Sequence, residues 1–376
     1  MAQSRRYKGK HFACPARDRM SIGSRGICKR FRPLTQVEPA REAIFFIAPT
    51  TESPPQTNPN RDPLRTHSMP LFATAPLRRP GTISRRLGLL AGLGTAALAL
   101  LSGCSGTRAL DHLVARDTYR GQAGVAYGPD PRHLLDIYQP TTRPTAGSAP
   151  VVLFFYGGNW TRGERADYRF VGEALAANGI IALVADYRLS PQVRYPSMLD
   201  DGALALKWAL SHAEELGGDP TKVFAMGHSA GAYNAAMLAL DPRWLAKVGL
   251  APSQLAGWIG LAGPYDFLPI VDPEVQLAFD WPQTPADSQP IHHASAKAPR
   301  TLLLAGRNDQ IVNTQRNTEG LAERLRAAGT DVNVRIYEHL SHVATVAALA
   351  RPLDWLAPVL PTVLAFVQTR PLPKAG

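Results

Sequence analysis

From residue 122 onward, short apolar segments alternate with segments of helical periodicity. The strongest apolar runs predict strands at residues 150–156, 180–187, 222–227, 255–263, 301–306 and 332–337. Most of these runs are continuous, as expected for strands covered on both faces, whereas residues 332–337 alternate with polar positions and indicate a more exposed edge. Two earlier segments, 123–128 and 133–139, are predicted to pair as antiparallel strands. The pattern therefore predicts an α/β fold with a mainly parallel sheet.

The segments between the strands carry their own signals. One helical face is predicted from the spacing of Leu199, Ala203, Leu206, Leu210 and Ala213. The dipeptides Gly217-Gly218 and Asp219-Pro220 are expected to end that helix. Residues 264–299 have no clean period and contain seven prolines, so we expect an irregular excursion that shapes or covers a pocket.

The charge of the chain is concentrated at one end. The formal net charge is +11, yet the first 103 residues hold 17 Lys and Arg against 5 Asp and Glu. The remaining residues, from Cys104 onward, carry 24 basic and 25 acidic side chains. The basic character belongs to the leader, so the charge does not indicate a nucleic-acid partner for the domain.

The leader has the form of an export signal. Residues 87–103 are 17 uncharged residues, rich in Leu and Ala, directly after Arg85 and Arg86. The junction from Leu101 to Cys104 resembles a bacterial lipobox, in which Cys104 is lipidated and becomes the new N-terminus. We therefore expect an exported protein of the bacterial envelope, anchored to a membrane on the periplasmic side or at the outer membrane. An uncleaved N-terminal anchor helix is the alternative, and residues 84–90 also resemble a loose twin-arginine signal.

Residues 1–68 are rich in Arg, Pro and Thr without a sustained period, which indicates disorder or a preface that is not translated. Met69 would then be the true start, with an export signal over 69–103, a linker over 104–119 and the domain over 120–370.

The cysteines exclude a disulfide framework in the domain. The chain contains Cys14, Cys28 and Cys104, and the 272 residues that follow have none. A domain of that size can be stabilised by core burial alone. A zinc site at Cys14 and Cys28 would need two further ligands at workable spacing, so no metal is expected.

The sequence Gly227-His228-Ser229-Ala230-Gly231 is the first candidate for catalytic chemistry. It follows a buried-type strand and precedes an apolar helical run, which is the strand–turn–helix context of an exposed nucleophilic serine. The N–H of Ala230, at the start of that helix, is expected to stabilise an oxyanion. A hydroxyl in a small-residue loop is the alternative for Ser229.

A nucleophilic serine needs a base, and the base needs an orienting acid. Asp309 follows the strand at 301–306 and is preferred as the acid, although Asp266, after an earlier strand, remains a competitor. His342 follows the strand at 332–337 and is preferred to His339 because it clears the strand end. Three further histidines fit other roles: His292 and His293 as exposed loop residues, and His228 as a packing residue beside the turn.

A glycine pair supplies the remaining component. Gly157 and Gly158 follow the strand at 150–156, and we expect them to bind substrate by letting the backbone approach its oxygen. The N–H groups of Gly158 and Asn159 are expected to join that of Ala230 in an oxyanion hole. A simple Gly-Gly turn is the alternative. Two aromatic residues, Trp160 and Tyr233, are candidate walls of the substrate pocket, with core packing open for Tyr233.

Together "YGGNW", "ADYRLSP", "GHSAGAYNAA", "GPYDF", "GRND" and "LSH" resemble the α/β-hydrolase superfamily over about residues 120–370. The branch they resemble is that of carboxylesterases similar to hormone-sensitive lipase and bacterial feruloyl esterases. The resemblance implies cofactor-free ester hydrolysis through an acyl-enzyme, with Ser229 as nucleophile, His342 as base and Asp309 orienting it. The oxyanion loop of that branch usually begins His-Gly-Gly, whereas this chain has Tyr156 before the glycines.

The expected substrate is a small-molecule ester of a small or medium acyl group or an aromatic acid. Two alternatives stay open: an arylformamidase or other amidase with the same triad, and a catalytically inert envelope lipoprotein that keeps the fold for binding.

Overall fold

The structure is a computed structural model that describes residue 110 and residues 114–142 and 148–369. The predicted disordered preface, export signal and lipobox, together with most of the predicted linker, lie outside the described residues. Within the described residues, no helix combines the length and the apolar character needed to cross a membrane.

A mixed sheet forms the centre of the described chain. Its strands are β1 (Tyr119–Ala126), β2 (Leu134–Pro140), β3 (Ala149–Phe155), β4 (Ile181–Ala185), β5 (Gly218–His228), β6 (Gly257–Leu261), β7 (Thr301–Gly306) and β8 (Val332–Tyr337). They lie in the order β1-β2-β4-β3-β5-β6-β7-β8. The pairs β1·β2 and β2·β4 are antiparallel, and every other pair is parallel. The predicted antiparallel start and mainly parallel sheet are confirmed.

Helices connect the strands. They are α1 (Arg169–Ala176), α2 (Ser197–His212), α3 (Ala230–Leu240), α4 (Pro242–Ala246), α5 (Pro273–Phe279), α6 (Gly320–Ala327), α7 (His342–Ala347) and α8 (Val359–Val367). The predicted helix with the apolar face is α2, which ends at His212, before the glycine pair. The excursion over 264–299 contains only one short helix, α5, and single turns at 286–288 and 290–293, as its lack of period predicts.

Burial follows the hydrophobic pattern of the strands. Every residue of β4, β6 and β7 is buried, so these strands are covered on both faces. In β8, by contrast, all residues but the last are half-buried, and the strand lies at the sheet margin as predicted. Because parallel strands end at one edge of a sheet, the segments after β3, β5, β7 and β8 meet there. That edge is where the candidate chemistry lies.

Candidate active site

Ser229 occupies a tight turn between β5 and α3. Its backbone has φ 55° and ψ −123°, a conformation that non-glycine residues adopt only when their surroundings impose it. A Cβ at Gly227 would lie 2.2 Å from the carbonyl oxygen of Gly231, and a Cβ at Gly231 would lie 2.0 Å from that of Phe155. Neither distance is tolerable, so the two glycines permit the turn that holds Ser229.

His342 and Asp309 form a hydrogen-bonded pair beside this turn. Nδ1 of His342 donates to Oδ2 of Asp309 over 2.8 Å, and both side chains are buried. His342 is the first residue of α7 and lines the same cavity as Ser229. Bonding through Nδ1 leaves Nε2 of His342 as the ring nitrogen available to take a proton.

The carboxylate of Asp309 is held in its charged form. Burial alone would raise the pKa of Asp309, but the hydrogen bond and charge of His342 lower it, and the backbone N–H groups of Val312 and Ile311 lower it further. Those two N–H groups donate to Oδ1 over 2.9 Å each. The resulting pKa lies below the ordinary value, so Asp309 is an anion that can orient His342.

The structure places the competing residues elsewhere. Asp266 forms two hydrogen bonds of 3.0 Å with the guanidinium of Arg316. His339 and His292 are exposed. His293 bonds the carbonyl of Asp287 over 2.7 Å through its Nε2. Asp309 and His342 are the pair that the fold brings to Ser229.

The loop after β3, residues 157–163, curls back over the serine, and we call it the oxyanion loop after its predicted role. Gly158, Asn159 and Trp160 have φ of 129°, 54° and 58°, three successive left-handed residues. A Cβ at Gly157 would lie 2.9 Å from the Cβ of Ser229, so this loop packs directly on the nucleophile. Gly158 and Asn159 line the cavity that Ser229 opens into. Ala230 begins α3, where backbone N–H groups have no intrahelical acceptor.

Tyr156 supports this oxyanion loop from below. Its ring is fully buried, and its hydroxyl donates to Asp186 over 2.8 Å and accepts from Arg132 over 2.6 Å. Arg132 also donates to the carbonyl of Gly163 over 3.0 Å, which ties the far end of the loop to the same group. Burial and the charge of Asp186 raise the pKa of Tyr156, so its hydroxyl stays protonated. Tyr156 acts beneath the loop and is not among the described residues that line the cavities at Ser229.

A second set of contacts joins the oxyanion loop to the excursion. Arg162 forms an ion pair of 2.5 Å with Glu274, near the start of α5, and both side chains are about half exposed. Asn159 donates to Asp272 and Glu274 over 3.4 and 3.3 Å, and Thr161 donates to Glu274 over 3.4 Å. The hydrogen bond from Arg162 is the main cause of a lowered pKa at Glu274. We refer to these contacts as the clasp.

Two cavities flank Ser229. The first, of about 190 Å³, is lined by His342, His228, Tyr168, Val343 and Val346 together with the glycines of the oxyanion loop. The second, of about 150 Å³, has mainly apolar walls that include Trp160, Phe267, Ile270 and Val275. Ile311, which is 66 % exposed, borders both. Two larger depressions, near Arg300 and near Arg169, have no wall residue from the triad.

The family of the chain is decided by its central segment. The BD-FAE family matches residues 135–325, about half of the 376 residues. The chain belongs to the BD-FAE family. The matched segment contains Ser229, Asp309 and the oxyanion loop, and it ends before His342.

Curated relatives of this BD-FAE chain are named as esterases. A probable isoprenylcysteine alpha-carbonyl methylesterase of Arabidopsis thaliana is 29% identical over 240 residues, which is 58% of this chain and 50% of that protein. Esterase LipC of Mycobacterium tuberculosis is 32% identical over 221 residues, 54% of each chain. The chain therefore spans about half the length of the curated relatives it matches.

Solved structures show the same fold. A truncated carbohydrate esterase from gut microbiota superposes with a TM-score of 0.58 at 19% identity, covering 68% of this chain and 98% of that one. Esterase 2 of Thermogutta terrifontis, phosphonylated by sarin, gives a TM-score of 0.51 at 26% identity, covering 59% and 85%. The predicted α/β-hydrolase fold is confirmed.

The two aromatic residues predicted as walls of the substrate pocket lie in different environments in this BD-FAE chain. Trp160 lines the second cavity, and its indole N–H donates to Asn234 over 3.0 Å. Tyr233 is fully buried behind it, with edge-to-face ring contact to Trp160 and a hydroxyl bonded to the carbonyl of Ser288. Tyr233 is not among the described residues of either cavity wall, so its prediction as a pocket wall is corrected to core packing that supports Trp160.

Sequence reasoning missed two groups in this BD-FAE site. The clasp to Glu274 and the contacts of Asp186 and Arg132 with Tyr156 depend on side chains far apart in sequence, so no local pattern predicts them. Asp186 does lie in "ADYRLSP", where an acidic residue directly after a buried strand was a usable signal. Among the described residues, no three His, Cys, Asp or Glu side chains gather as metal ligands. The prediction that no cofactor is needed stays a prediction.

Proposed function

We propose that this chain is a serine hydrolase that cleaves carboxylic esters through an acyl-enzyme intermediate. The observation that carries the proposal is the 2.8 Å bond between His342 and Asp309 beside Ser229, which sits on a strained turn facing a cavity. The esterase names of the relatives support it.

The chemistry follows from the arrangement. The hydroxyl oxygen of Ser229 attacks the ester carbonyl carbon while Nε2 of His342 takes the hydroxyl proton. The negative charge that develops on the carbonyl oxygen is met by N–H groups of Gly158, Asn159 and Ala230. The alcohol then leaves with the proton from His342, and water attacks the acyl-enzyme by the same route to release the acid and restore Ser229.

The two cavities receive different halves of the ester. The leaving alcohol must be near His342, which gives it a proton, and His342 lines only the first cavity. The acyl group therefore occupies the second cavity, between Trp160, Phe267 and Ile270. The apolar walls and the volume of about 150 Å³ favour a small or medium apolar acyl group or an aromatic acid.

A fluorophosphonate probe and steady-state kinetics test this proposal. The probe should label the wild type and fail to label Ser229→Ala, because the probe bonds only to the activated serine. Asp309→Asn should lower kcat on p-nitrophenyl butyrate by about 10⁴-fold, since His342 loses the anion that fixes its tautomer. The matched control is Asp266→Asn, which should stay within a few-fold of wild type. Equal labelling of Ser229→Ala, or a larger kcat loss in the control, would remove the assignment.

We also propose that the leader exports the protein and that lipidated Cys104 anchors it to a membrane of the bacterial envelope. Support comes from the 17 uncharged residues after Arg85 and Arg86 and from the lipobox-like junction at Leu101 to Cys104. Cells grown with labelled palmitate should incorporate label into the wild type and not into Cys104→Ala. Absence of label from the expressed wild type would reject lipidation.

A further inference from the structure

His228, the residue before Ser229, does more than fill space beside the turn. It is the last residue of β5 and is only 5% exposed. Its ring lies against that of His342, with centroids 4.8 Å apart and planes tilted by 47°. Its Nε2 is 3.1 Å from the backbone carbonyl oxygen of His342. Two residues separated by 114 positions in sequence are thus joined directly.

The acceptor fixes the tautomer of His228. A carbonyl oxygen can only accept, so Nε2 of His228 carries the hydrogen and donates it. Burial, and secondarily the charge of His342, lowers the pKa of His228 to about 3. The ring is therefore neutral at any pH at which His342 could act as a base, and its contribution is a hydrogen bond rather than a charge.

Packing alone does not account for a histidine at this position. With the hydrogen on Nε2, Nδ1 is a buried acceptor, and it has no hydrogen-bond partner within the described part of the chain. A Cβ at Gly157 would lie 3.1 Å from Nδ1, so this nitrogen faces the crowded underside of the oxyanion loop. An apolar side chain of similar size would fill the space without burying an unsatisfied acceptor. The donor on the other nitrogen is what distinguishes histidine here.

The position of His342 shows why such a donor is useful. His342 follows β8, a half-buried strand at the sheet margin, whereas β5 lies in the sheet interior. Asp309 holds the ring of His342 but not its backbone. The bond from His228 attaches that backbone to the strand that carries the nucleophile. Consecutive residues, His228 and Ser229, then set the separation between base and nucleophile.

We propose that His228 is a positioning residue that holds His342 at its working distance from Ser229 by donating from Nε2 to the carbonyl of His342. The inference rests on the proposed function, because it concerns the same serine and base. A displacement of about 1 Å in a catalytic group can reduce the rate by about 100-fold. Loss of the donor should therefore appear in kcat rather than in KM.

Three variants of the full chain test the role. His228→Gln has an amide N–H that reaches about as far as Nε2, His228→Asn has the same amide one carbon shorter, and His228→Leu has no donor. With p-nitrophenyl butyrate we expect kcat to fall by about 10- to 100-fold in the Leu and Asn variants with KM within about twofold. The Gln variant should recover most of the lost kcat. Labelling rates with a fluorophosphonate should follow the same order.

The comparison between Gln and Asn decides the outcome even if His228→Leu fails to fold. Equal kcat in the Gln and Asn variants would overturn the proposal, as would a His228→Leu enzyme with wild-type kcat. His133→Gln is the matched control, since it changes another buried histidine, which faces Asp201 at 3.0 Å. This control should lower the unfolding temperature without the drop in kcat. An inactive, unlabelled wild type would refute the proposed hydrolase function itself rather than this inference.

Discussion

Two strained turns meet at the proposed catalytic centre, and they are stabilised in different ways. The nucleophile turn at 227–231 is fixed by contacts between main chains, since Gly231 lies against the carbonyl of Phe155. The oxyanion loop at 157–163 has four residues with positive φ. The carbonyl of Trp160 accepts from the N–H of Ser190 over 2.8 Å, but the loop also depends on side chains, with Tyr156 below it and Glu274 across the clasp. The backbone of the first turn has no room to shift. The conformation of the second loop can change when its side-chain partners are substituted.

This difference assigns the position of the nucleophile to one turn and the shape of the substrate cavities to the other. A backbone-fixed turn keeps Ser229 in one place whatever the substrate, because any added atom must displace a strand or a helix. The oxyanion loop borders both cavities, and the clasp connects it to the excursion that supplies Phe267 and Ile270 to the second cavity, where we propose that the acyl group binds. Substitutions in the excursion can therefore alter substrate preference without moving the nucleophile.

The largest effect is expected from Gly231→Ala. The added Cβ would lie 2.0 Å from the carbonyl oxygen of Phe155 and 2.5 Å from that of Tyr156, so α3 and β3 must separate. We expect more than about 4 kcal/mol of destabilisation, a drop of about 10 °C or more in the unfolding temperature for a domain of this size, and no fluorophosphonate labelling.

The control for this change is Gly320→Ala, at the start of α6. Its added Cβ meets nothing closer than 3.6 Å, and alanine favours helix, so its unfolding temperature should stay at or above that of the wild type. Circular dichroism melts of both variants make the comparison. If Gly231→Ala unfolded within about 2 °C of wild type and labelled at the same rate, the backbone contact would not be what fixes the turn.

The same contrast explains which parts of the fold and of the candidate site can be predicted from the sequence. The strands, the edge position of β8 and the order Ser229, Asp309, His342 follow from hydrophobic period and motif position, which are local signals. The nucleophile turn can be predicted from the sequence for the same reason, since its glycines are neighbours of Ser229. The side-chain contacts that support the oxyanion loop cannot be predicted in this way, because Tyr156 meets Asp186 and Arg162 meets Glu274 only after folding. Tyr233 was ambiguous because an aromatic residue on a buried helix fits a wall and a core equally well.

The smallest effect is expected from Glu274→Gln, which weakens the clasp. The Arg162–Glu274 pair is about half exposed on both sides, and exposed pairs contribute about 0.2–1 kcal/mol. The lost charge should reduce kcat/KM on p-nitrophenyl butyrate by at most about fivefold at low ionic strength. The difference from wild type should shrink toward zero near 1 M salt, where the Debye length is about 3 Å. Asp200→Asn, which removes the similarly exposed pair with Lys247, should leave kcat/KM unchanged. A loss above about 20-fold that persists in high salt would mean that the oxyanion loop depends on its clasp as rigidly as Ser229 depends on Gly231, and the contrast between the two turns would fail.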